Sequence, residues 1–334
     1  MAAQMPAHGG WSRTRARAFA LLAAGTAGLG GLAMASTASA QPQPVKHIVV
    51  LYLENHTFDD LLGYWCNHNQ GPCPDVGMPA SVTLSNNSVV APGVMPDIVP
   101  NVSHTVVSQQ AAIDGGRMDG RQNVPGCAAK NRLRLHRRVH AGPGTQPRRA
   151  GAPIRHQRPD LLDGRQPVLG RKSPRFQGIA MDRLQAAGLS WRIYGDPTPP
   201  SGGGPTAAGY GWDICPSFAE CLYTGQKANN VPSSTFVKDA RSGKLPNFAI
   251  VTPGGNDAAF SEHNGFSITA GDDWLGQVAS AVMNGPEWPS TVLFITWDDC
   301  GCFYDQVLPG VNPDGTAQGP CTPLVIVSPY AKPN

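Results

Sequence analysis

Three short apolar segments constrain the fold of this 334-residue chain more than any other feature. They occupy residues 46–53, 291–297 and 323–328, and each is a continuous run rather than an alternation of apolar and polar residues. Such runs are typical of strands that are buried on both faces, as in parallel sheets. A further short apolar strand at residues 247–252 and a helical pattern at residues 272–283 lie between the first two. This order of strands and helices predicts an α/β fold with a largely parallel sheet.

The N-terminus has the pattern of an export signal. Three arginines within residues 13–17 precede an apolar stretch over residues 18–35, and an Ala-Ser-Ala tripeptide follows at residues 38–40. This pattern predicts a secretory signal peptide over residues 1–40, and the small residues and the cleavage site favour it over a membrane anchor. We therefore expect residues 41–334 to form a single secreted domain, located outside the cell or in the cell envelope. Because no later apolar run reaches about 18 residues, we expect no stable membrane insertion.

The formal charge of +3 is a sum of unlike parts. Residues 132–175 hold 12 of the 26 basic residues and only two acids, which gives this segment a net charge of +10. Together with the signal segment, it leaves the other 250 residues with a net charge of −10. A basic run can bind anionic polymers such as nucleic acid. Since no aromatic residues interleave this one, and the chain is predicted to carry an export signal, we expect no nucleic-acid partner. We also expect the protein to be a monomer.

The cysteines indicate disulfides. Eight follow the signal segment, at Cys66, Cys73, Cys127, Cys215, Cys221, Cys300, Cys302 and Cys321. Disulfides are the default for cysteines in an exported chain. Cys66 with Cys73 and Cys215 with Cys221 could close short loops, and Cys300 or Cys302 could pair with Cys321, although connectivity does not follow from sequence. The absence of any C-x2-C pair disfavours the alternative of a zinc–thiolate site.

Acidic and amide side chains follow two of the predicted strands. Glu54 and Asn55 come after the first strand, and Asp298 and Asp299 come after the strand at residues 291–297. In open α/β sheets, ligands bind at the carboxyl ends of the strands, and oxygen ligands suit a divalent cation. An adjacent pair of aspartates repels unless a cation is close or one carboxyl is protonated. The pattern favours a metal site over a solvated loop, with calcium, magnesium, iron and zinc all open.

A second candidate lies in the polar loop after the strand at residues 247–252. Glu262 and His263 occur there, directly after Ser261. A histidine at a strand end could donate a proton to a leaving alcohol, whereas the alternative is an ordinary surface histidine.

Four segments resemble one family. "VKHIVVLYLENHTFDDLLGYW" at residues 45–65 resembles the opening E-N-x-S/T-F-D motif of the bacterial phosphoesterase family, which contains secreted phospholipases C and acid phosphatases. The other three segments are "NFAIVTPGGNDAAFSEHNG", "GDDWLGQVASAVMNGPEWPSTVLFITWDDCGCFYDQVLP" and "PLVIVSPYAK". They are similar to that family's S-E-H segment, its T-W/Y-D-D/E-x-G-G-F motif and the strand that follows. The matches cover residues 45–121 and 179–334.

The resemblance implies a three-layer α/β/α fold like that of the alkaline phosphatase superfamily. It also implies a hydrolase of phosphoric esters, acting on phosphate esters or phospholipids, with a Ser or Thr nucleophile that forms a covalent phospho-enzyme. Phospholipase C and acid phosphatase share these motifs, so the substrate class stays open between them. By motif match, a divalent metal ion would be held by Glu54, Asn55, Asp298 and Asp299, and the catalytic residues Glu262 and His263 would line the site.

The chain departs from the family pattern in four places. Gln306 stands where the family has a histidine, and Cys302 stands where it has a glycine. The chain stops at Asn334, where relatives continue, so we expect the C-terminal part of the domain to be missing. No segment that resembles the family's nucleophile segment lies between Gly120 and Ile179.

The missing nucleophile coincides with the aberrant Arg-rich segment at residues 132–178. The codons for residues 159–171, together with nucleotides of the codon on either side, permit in the neighbouring frame the family-like peptide D-R-T-F-S-M-A-D-S-P-S-W-G-G. We therefore hypothesise that residues 132–171 are a frame-shifted stretch, followed by a deletion before Ile179. The nucleophilic serine codon would straddle Val168 and Leu169. The chain as written is then expected to have low activity, and the alternatives are an inactive family remnant and a basic-segment binder of anionic polymers.

Overall fold

A computed structural model describes residues 45–63, 66, 78–127, 179–197, 213–215, 218–254, 259–315 and 318–331, with the backbone of residues 137–138 and 155–156. The predicted signal peptide lies outside the described residues, and so does nearly all of the Arg-rich segment. Within the described residues, no helix is long and apolar enough to cross a membrane.

Strands and helices alternate along most of the chain. The strands are β1 (His47–Leu53), β2 (Val82–Thr83), β3 (Val89–Val90), β4 (Gly93–Val94), β5 (Arg137–Arg138), β6 (Arg155–His156), β7 (Trp191–Gly195), β8 (Asn230–Pro232), β9 (Phe248–Val251), β10 (Thr291–Trp297) and β11 (Leu324–Val327). The α-helices are α1 (Val106–Ile113), α2 (Ala180–Ala186), α3 (Ala219–Tyr223), α4 (Phe236–Arg241) and α5 (Ile268–Met283). Shorter π or 3-10 turns span Asp59–Gly63, Asp114–Gly116, Arg121–Asn123, Gly225–Asn229, Ser233–Thr235 and Trp288–Ser290.

One mixed sheet dominates the structure, with the strand order β6-β11-β10-β1-β9-β7-β8. The five strands from β10 to β8 are parallel, and β11 runs antiparallel to β10. Helices flank this sheet, so the predicted three-layer α/β fold with a largely parallel sheet is confirmed. In the register of the central pair, Leu53 lies opposite Trp297, which brings the residues after β1 and β10 together at one edge.

The two faces of β1 are buried to different extents. Val49, Leu51 and Leu53 are fully buried on one face, because successive side chains of a strand point to opposite sides. On the other face, Ile48 is 37% exposed and Tyr52 is half-buried. The expectation of complete burial on both faces therefore holds for only one face of this strand.

Helices α4 and α5 cover the more buried face. Trp274, Val278 and Val282 of α5 recur at helical spacing and pack in one cluster with β1 and with Phe236 of α4. On the opposite face, a second cluster contains Met181 of α2, residues of β7 and β9, and Cys215 and Cys221. These two cysteines form a disulfide. Cys66 is also disulfide-bonded, and its predicted partner Cys73 lies outside the described residues.

Helix α5 begins four residues before the predicted start at residue 272. The Ser267 hydroxyl accepts a hydrogen bond from the Ala270 backbone amide (3.1 Å) and donates one to the Asp97 carboxylate (2.8 Å). This capping arrangement satisfies a free amide of the first turn. Since Asp97 is 170 residues away in sequence, the helical pattern alone could not predict the earlier start.

Candidate active site

Three loops meet at the carboxyl edge of the sheet. The Asp298 backbone amide donates to the Leu53 carbonyl (3.0 Å), which extends the pairing of β1 and β10 by one residue. The Glu54 amide donates to the Ser261 carbonyl (3.0 Å), which joins the loop after β9 to the same edge. The structure therefore brings together the segments that carry all six predicted site residues.

The Asp298 carboxylate organises the centre of this edge. Its Oδ1 atom accepts hydrogen bonds from the backbone amides of Asn55 (2.9 Å) and Asp299 (2.7 Å). The Asp299 Oδ1 atom in turn accepts from the Gly301 amide (2.6 Å). A Cβ atom on Gly301 would lie 2.6 Å from the Asn55 carbonyl oxygen, so a glycine is needed where these two loops meet.

Burial and mutual repulsion shape the ionisation of these carboxyl groups. Burial raises the pKa of Glu54 well above its usual value, and the charge of Asp298, a hydrogen bond with Asp298 and the charge of Asp299 raise it further. The pKa of Asp299 is also raised well above its usual value, by burial first and by the charge of Asp298 second. Three acidic groups thus share a poorly solvated edge, where positive charge would be stabilised.

Strained backbone is concentrated here. Asn55, Glu262 and Cys302 adopt left-handed conformations, with φ of 62°, 65° and 59°. Such conformations cost about 1 kcal/mol or more for a residue with a side chain and persist where the surroundings hold them. All three residues are buried. At Cys302 the strain has a direct explanation, because the resembled family has a glycine at this position.

Glu262 is held by a strand and a helix. Its Oε2 atom accepts a 2.7 Å hydrogen bond from the Trp297 indole, and its side chain packs against Gly271 in the first turns of α5. Burial raises the pKa of Glu262 to about 7, although the charge of His56 and the Trp297 hydrogen bond lower it. This hydrogen bond holds the Glu262 carboxylate beside Trp297, which directly precedes Asp298 in the sequence.

Replacing Gly271 with alanine is expected to destabilise the protein by about 1–3 kcal/mol, because the new Cβ would lie 2.2 Å from the Glu262 Cγ atom. Gly276 lies in the same helix and has no atom within 4 Å of its Cβ position. Gly276→Ala is therefore the matched control, and we expect it to stabilise by about 0.5–1 kcal/mol. Urea denaturation followed by circular dichroism measures both changes, and a Gly271→Ala variant as stable as the control would contradict the contact.

His263 lies at the rim of this edge in a defined tautomer. Its Nδ1 atom donates to the Asn264 carbonyl (2.9 Å), which places the remaining lone pair on Nε2. Burial lowers the pKa of His263. The His104 ring packs edge-on against it, with 5.2 Å between the ring centroids. The Asn264 amide donates to the Val102 carbonyl (3.1 Å) and so holds the two segments together.

A buried His56–Asp60 pair was not among the predicted site residues. The His56 Nδ1 atom lies 2.7 Å from the Asp60 carboxylate, both side chains are fully buried, and the imidazole stacks on Phe303. Burial lowers the pKa of His56, but the charge and hydrogen bond of Asp60 outweigh this effect and raise it overall. The i, i+4 spacing directly after a strand was the available signal. The contact with Phe303 could not be predicted from the sequence, because the two residues are 247 positions apart.

Thr57 and Ser261 carry hydroxyl groups close to the predicted site residues. The Thr57 hydroxyl donates to the Tyr304 carbonyl (2.6 Å), and the Ser261 hydroxyl accepts from the His263 amide (3.3 Å). Both residues are fully buried. Neither hydroxyl is therefore exposed for nucleophilic attack, and the predicted nucleophile position at Val168 and Leu169 lies outside the described residues.

The side-chain oxygen atoms at this edge are of the kind that bind hard divalent cations. In the part of the chain that the structure describes, no group of three or more His, Cys, Asp or Glu side chains is arranged to hold a metal ion. Asn55, however, has both polar side-chain atoms buried without a hydrogen-bond partner among the described residues. An unpaired amide oxygen beside Glu54, Asp298 and Asp299 makes an all-oxygen donor set, which suits a divalent cation.

Cys300 and Cys302 are free thiols in the loop after Asp299. The Cys300 sulfur accepts a hydrogen bond from the Cys302 amide (3.2 Å). Neither cysteine forms the disulfide with Cys321 that the sequence left open. At Gln306, where the resembled family has a histidine, the backbone amide donates to the Asp59 carboxylate (2.8 Å), so this loop packs on the first motif.

The model of the Phosphoesterase family matches residues 122–334. The chain belongs to the phosphoesterase family. This confirms the resemblance found in the sequence, although the matched range begins after the E-N-x-T-F-D motif and includes the Arg-rich segment. The frame-shift hypothesis stays a prediction.

Named relatives of this phosphoesterase are phospholipases C. It is 27% identical over 220 residues to the non-hemolytic phospholipase C of Burkholderia pseudomallei, covering 50% of this chain and 30% of that protein. It is 34% identical over 115 residues to the non-specific phospholipase C6 of Arabidopsis thaliana, covering 28% and 22%. With phospholipase C B of Mycobacterium tuberculosis, identity is 25% over 328 residues, covering 81% and 61%. The chain thus spans less than two thirds of each relative.

Proposed function

We propose that this phosphoesterase is a secreted hydrolase of phosphoric esters. The observation that carries the proposal is the convergence of Glu54, Asn55, Asp298 and Asp299 at one buried edge of the sheet, in a member of the phosphoesterase family. The names of the relatives support a phospholipase C activity on phospholipid head groups. An acid phosphatase activity on small phosphate monoesters is the second arm of the same proposal.

These four residues would hold a divalent metal ion. When bound, the metal would supply positive charge that stabilises the phosphoryl oxygens as charge develops on them. Contacts within the chain hold these four residues in place. The Asp298 carboxylate holds the Asn55 backbone, the Gly301 amide orients Asp299, and the left-handed conformation of Asn55 turns its side chain away from the strand direction.

Two further residues would serve the substrate. Glu262, fixed by the Trp297 indole, positions the loop that carries His263. The His263 ring has its Nδ1 proton engaged by the Asn264 carbonyl, so Nε2 is the atom that faces the substrate. In the imidazolium form, Nε2 would donate its proton to the oxygen of the leaving alcohol as the P–O bond breaks, which leaves the ring neutral. The nucleophile would be the serine that the neighbouring frame encodes at Val168 and Leu169.

The test uses the frame-restored chain, in which residues 132–171 are replaced by the translation of their codons in the neighbouring frame, so that the S-P-S-W-G-G segment is present. Hydrolysis of phosphatidylcholine and of p-nitrophenyl phosphate is measured after chelation and after addition of calcium, magnesium, iron or zinc. We expect metal-dependent release of phosphocholine or of p-nitrophenol. The absence of both activities with every metal, in a folded protein, would refute the proposal. Mass spectrometry of protein in the medium checks secretion, with an expected N-terminus near Gln41.

A further inference from the structure

A second buried polar cluster lies at the same edge of the sheet, away from the proposed metal ligands. Asp213, Asn230 and Thr252 form it, and we call it the Asp213 pocket. Asp213 is 1% exposed, Asn230 is 9% exposed and Thr252 is 2% exposed. Thr252 follows β9 and lies beside Gly195 at the end of β7, so the pocket is at the carboxyl ends of these two parallel strands. Asn230, the first residue of β8, pairs with Ile193 of β7. Ligands bind at this edge in open α/β sheets.

Covalent structure and close packing hold Asp213 in place. Its Oδ1 atom accepts a hydrogen bond from the Cys215 amide (3.2 Å), and Cys215 is tied to Cys221 by the disulfide. A Cβ atom on Gly195, at the end of β7, would lie 3.2 Å from the Asp213 Oδ2 atom and 3.0 Å from the Thr252 hydroxyl. The carboxylate thus sits directly on the end of the neighbouring strand.

Two acceptor atoms in the pocket lack a donor. The Asp213 Oδ2 atom and the Asn230 Oδ1 atom are buried without a hydrogen-bond partner in the described part of the chain. The Asn230 side chain is close enough to Asp213 to lower the pKa of that carboxyl, and an amide oxygen can only accept, so Asn230 Oδ1 still requires a donor. Buried polar atoms in proteins are nearly always paired, and exceptions call for an explanation such as a missing ligand.

The carboxylate of Asp213 determines which kind of hydrogen-bond donor the pocket would bind. Burial raises the pKa of Asp213 to about 7, and the charge of Asp196 adds to this effect, whereas no basic side chain offsets it among the described residues. A ligand that brings positive charge together with N–H groups would stabilise the ionised carboxylate and pair both oxygens.

Among cations, the donor set favours a primary ammonium group. One carboxylate and one amide oxygen are few ligands for calcium or magnesium, which take six or more oxygens, often from several carboxylates. A quaternary ammonium such as choline has no N–H group and is recognised by aromatic faces instead. A primary ammonium supplies up to three N–H donors to the Asp213 and Asn230 oxygens.

We propose that the Asp213 pocket binds the primary ammonium group of the substrate's amino-alcohol head group, which is the part that stays on the phosphate. Phosphodiesters with such a head group would then be preferred. The inference rests on the proposed function, since it names the head group of that reaction. β9 lies beside β1 in the sheet and β7 lies beside β9. Neighbouring strands are about 4.8 Å apart, so the pocket at the end of β7 is about 10 Å from the end of β1. The segment after β9 then reaches Ser261, whose carbonyl binds the Glu54 amide.

The kinetic test compares p-nitrophenyl esters of phosphoethanolamine and phosphocholine in the frame-restored chain. We expect kcat/KM for the ethanolamine ester to be about tenfold higher. Asp213→Asn should reduce this ratio to about one, mainly through KM. The matched control is Asp273→Asn, an exposed position on α5. Equal kcat/KM for the two esters in the parent chain, or a preference that survives Asp213→Asn, would overturn the proposal.

A binding test separates this inference from the proposed function. Ethanolamine should raise the Tm of the unsubstituted protein more than the same concentration of choline does. Asp213→Asn should remove this difference. Asn230→Ala serves as the second variant if Asp213→Asn does not fold, and it should weaken the same difference. Stabilisation by ethanolamine that needs Asp213, with no hydrolysis of any ester, would support the ammonium site and refute the hydrolase. Equal Tm shifts with both cations would refute the site alone.

Discussion

Replacing residues 132–171 with the peptide encoded in the neighbouring reading frame is expected to raise phosphoesterase kcat/KM by about 10⁴-fold or more. Loss of a covalent nucleophile costs an enzyme that much even when the rest of the site is intact. In the present chain, the hydroxyls of Thr57 and Ser261 are buried and hydrogen-bonded, so neither of them replaces the nucleophile. The measurement is steady-state hydrolysis of p-nitrophenyl phosphate by both chains.

The control for this comparison is the frame-restored chain with alanine in place of the second serine of its S-P-S-W-G-G segment. We expect it to fold like the restored chain and to return to the activity of the chain as written. If the chain as written is already as active as the restored chain, the nucleophile lies elsewhere and the reading-frame hypothesis is wrong. A gene sequence that cannot encode S-P-S-W-G-G in the adjacent frame would also exclude the hypothesis.

Replacing Asp298 with asparagine in the restored chain is expected to lower kcat/KM by about 10³-fold. Asparagine keeps the size of the side chain and an oxygen that can accept from the Asn55 and Asp299 amides. The lost negative charge, however, weakens the cation site that would stabilise the phosphoryl oxygens. The fold should survive, because the change removes one of three mutually repelling acids at the edge.

A stability measurement checks the same substitution without relying on activity. A cation present at 100 times its Kd stabilises the folded state by about 2.7 kcal/mol, which raises the Tm of the parent chain. Asp298→Asn should abolish most of this metal-induced rise without lowering the Tm of the metal-free protein. Asp273→Asn, on the exposed face of α5, should leave both values unchanged. A full metal-induced rise in the Asp298→Asn variant would show that the metal binds elsewhere.

The sequence predicted the centre of the sheet well. The expected strand at residues 291–297 coincides with β10, and the expected strand at residues 46–53 differs from β1 by one residue. Short apolar runs bounded by polar residues leave little choice of strand ends. Because Glu54 and Asp298 directly follow these runs, parallel pairing was enough to predict that they meet.

Other features of the site depend on contacts between residues far apart in the chain. The Trp297 indole reaches Glu262, which is 35 positions away, and Phe303 stacks on His56. Neither contact follows from periodicity or from a motif. The left-handed conformation of Glu262 likewise could not be predicted from the local sequence, because it depends on the packing of α5 and β10 around this residue.

The sequence alone therefore determined the α/β class, the parallel central strands and the identity of the acidic residues at their ends, because each depends on neighbouring residues. Tertiary structure decided the antiparallel direction of β11, the early start of α5 at the Ser267–Asp97 contact and the unpaired acceptors of the Asp213 pocket. These features depend on which distant groups meet in the folded chain. Burial then fixes the energetic consequences, since a polar or charged group removed from water must find its partner in the fold or in a ligand.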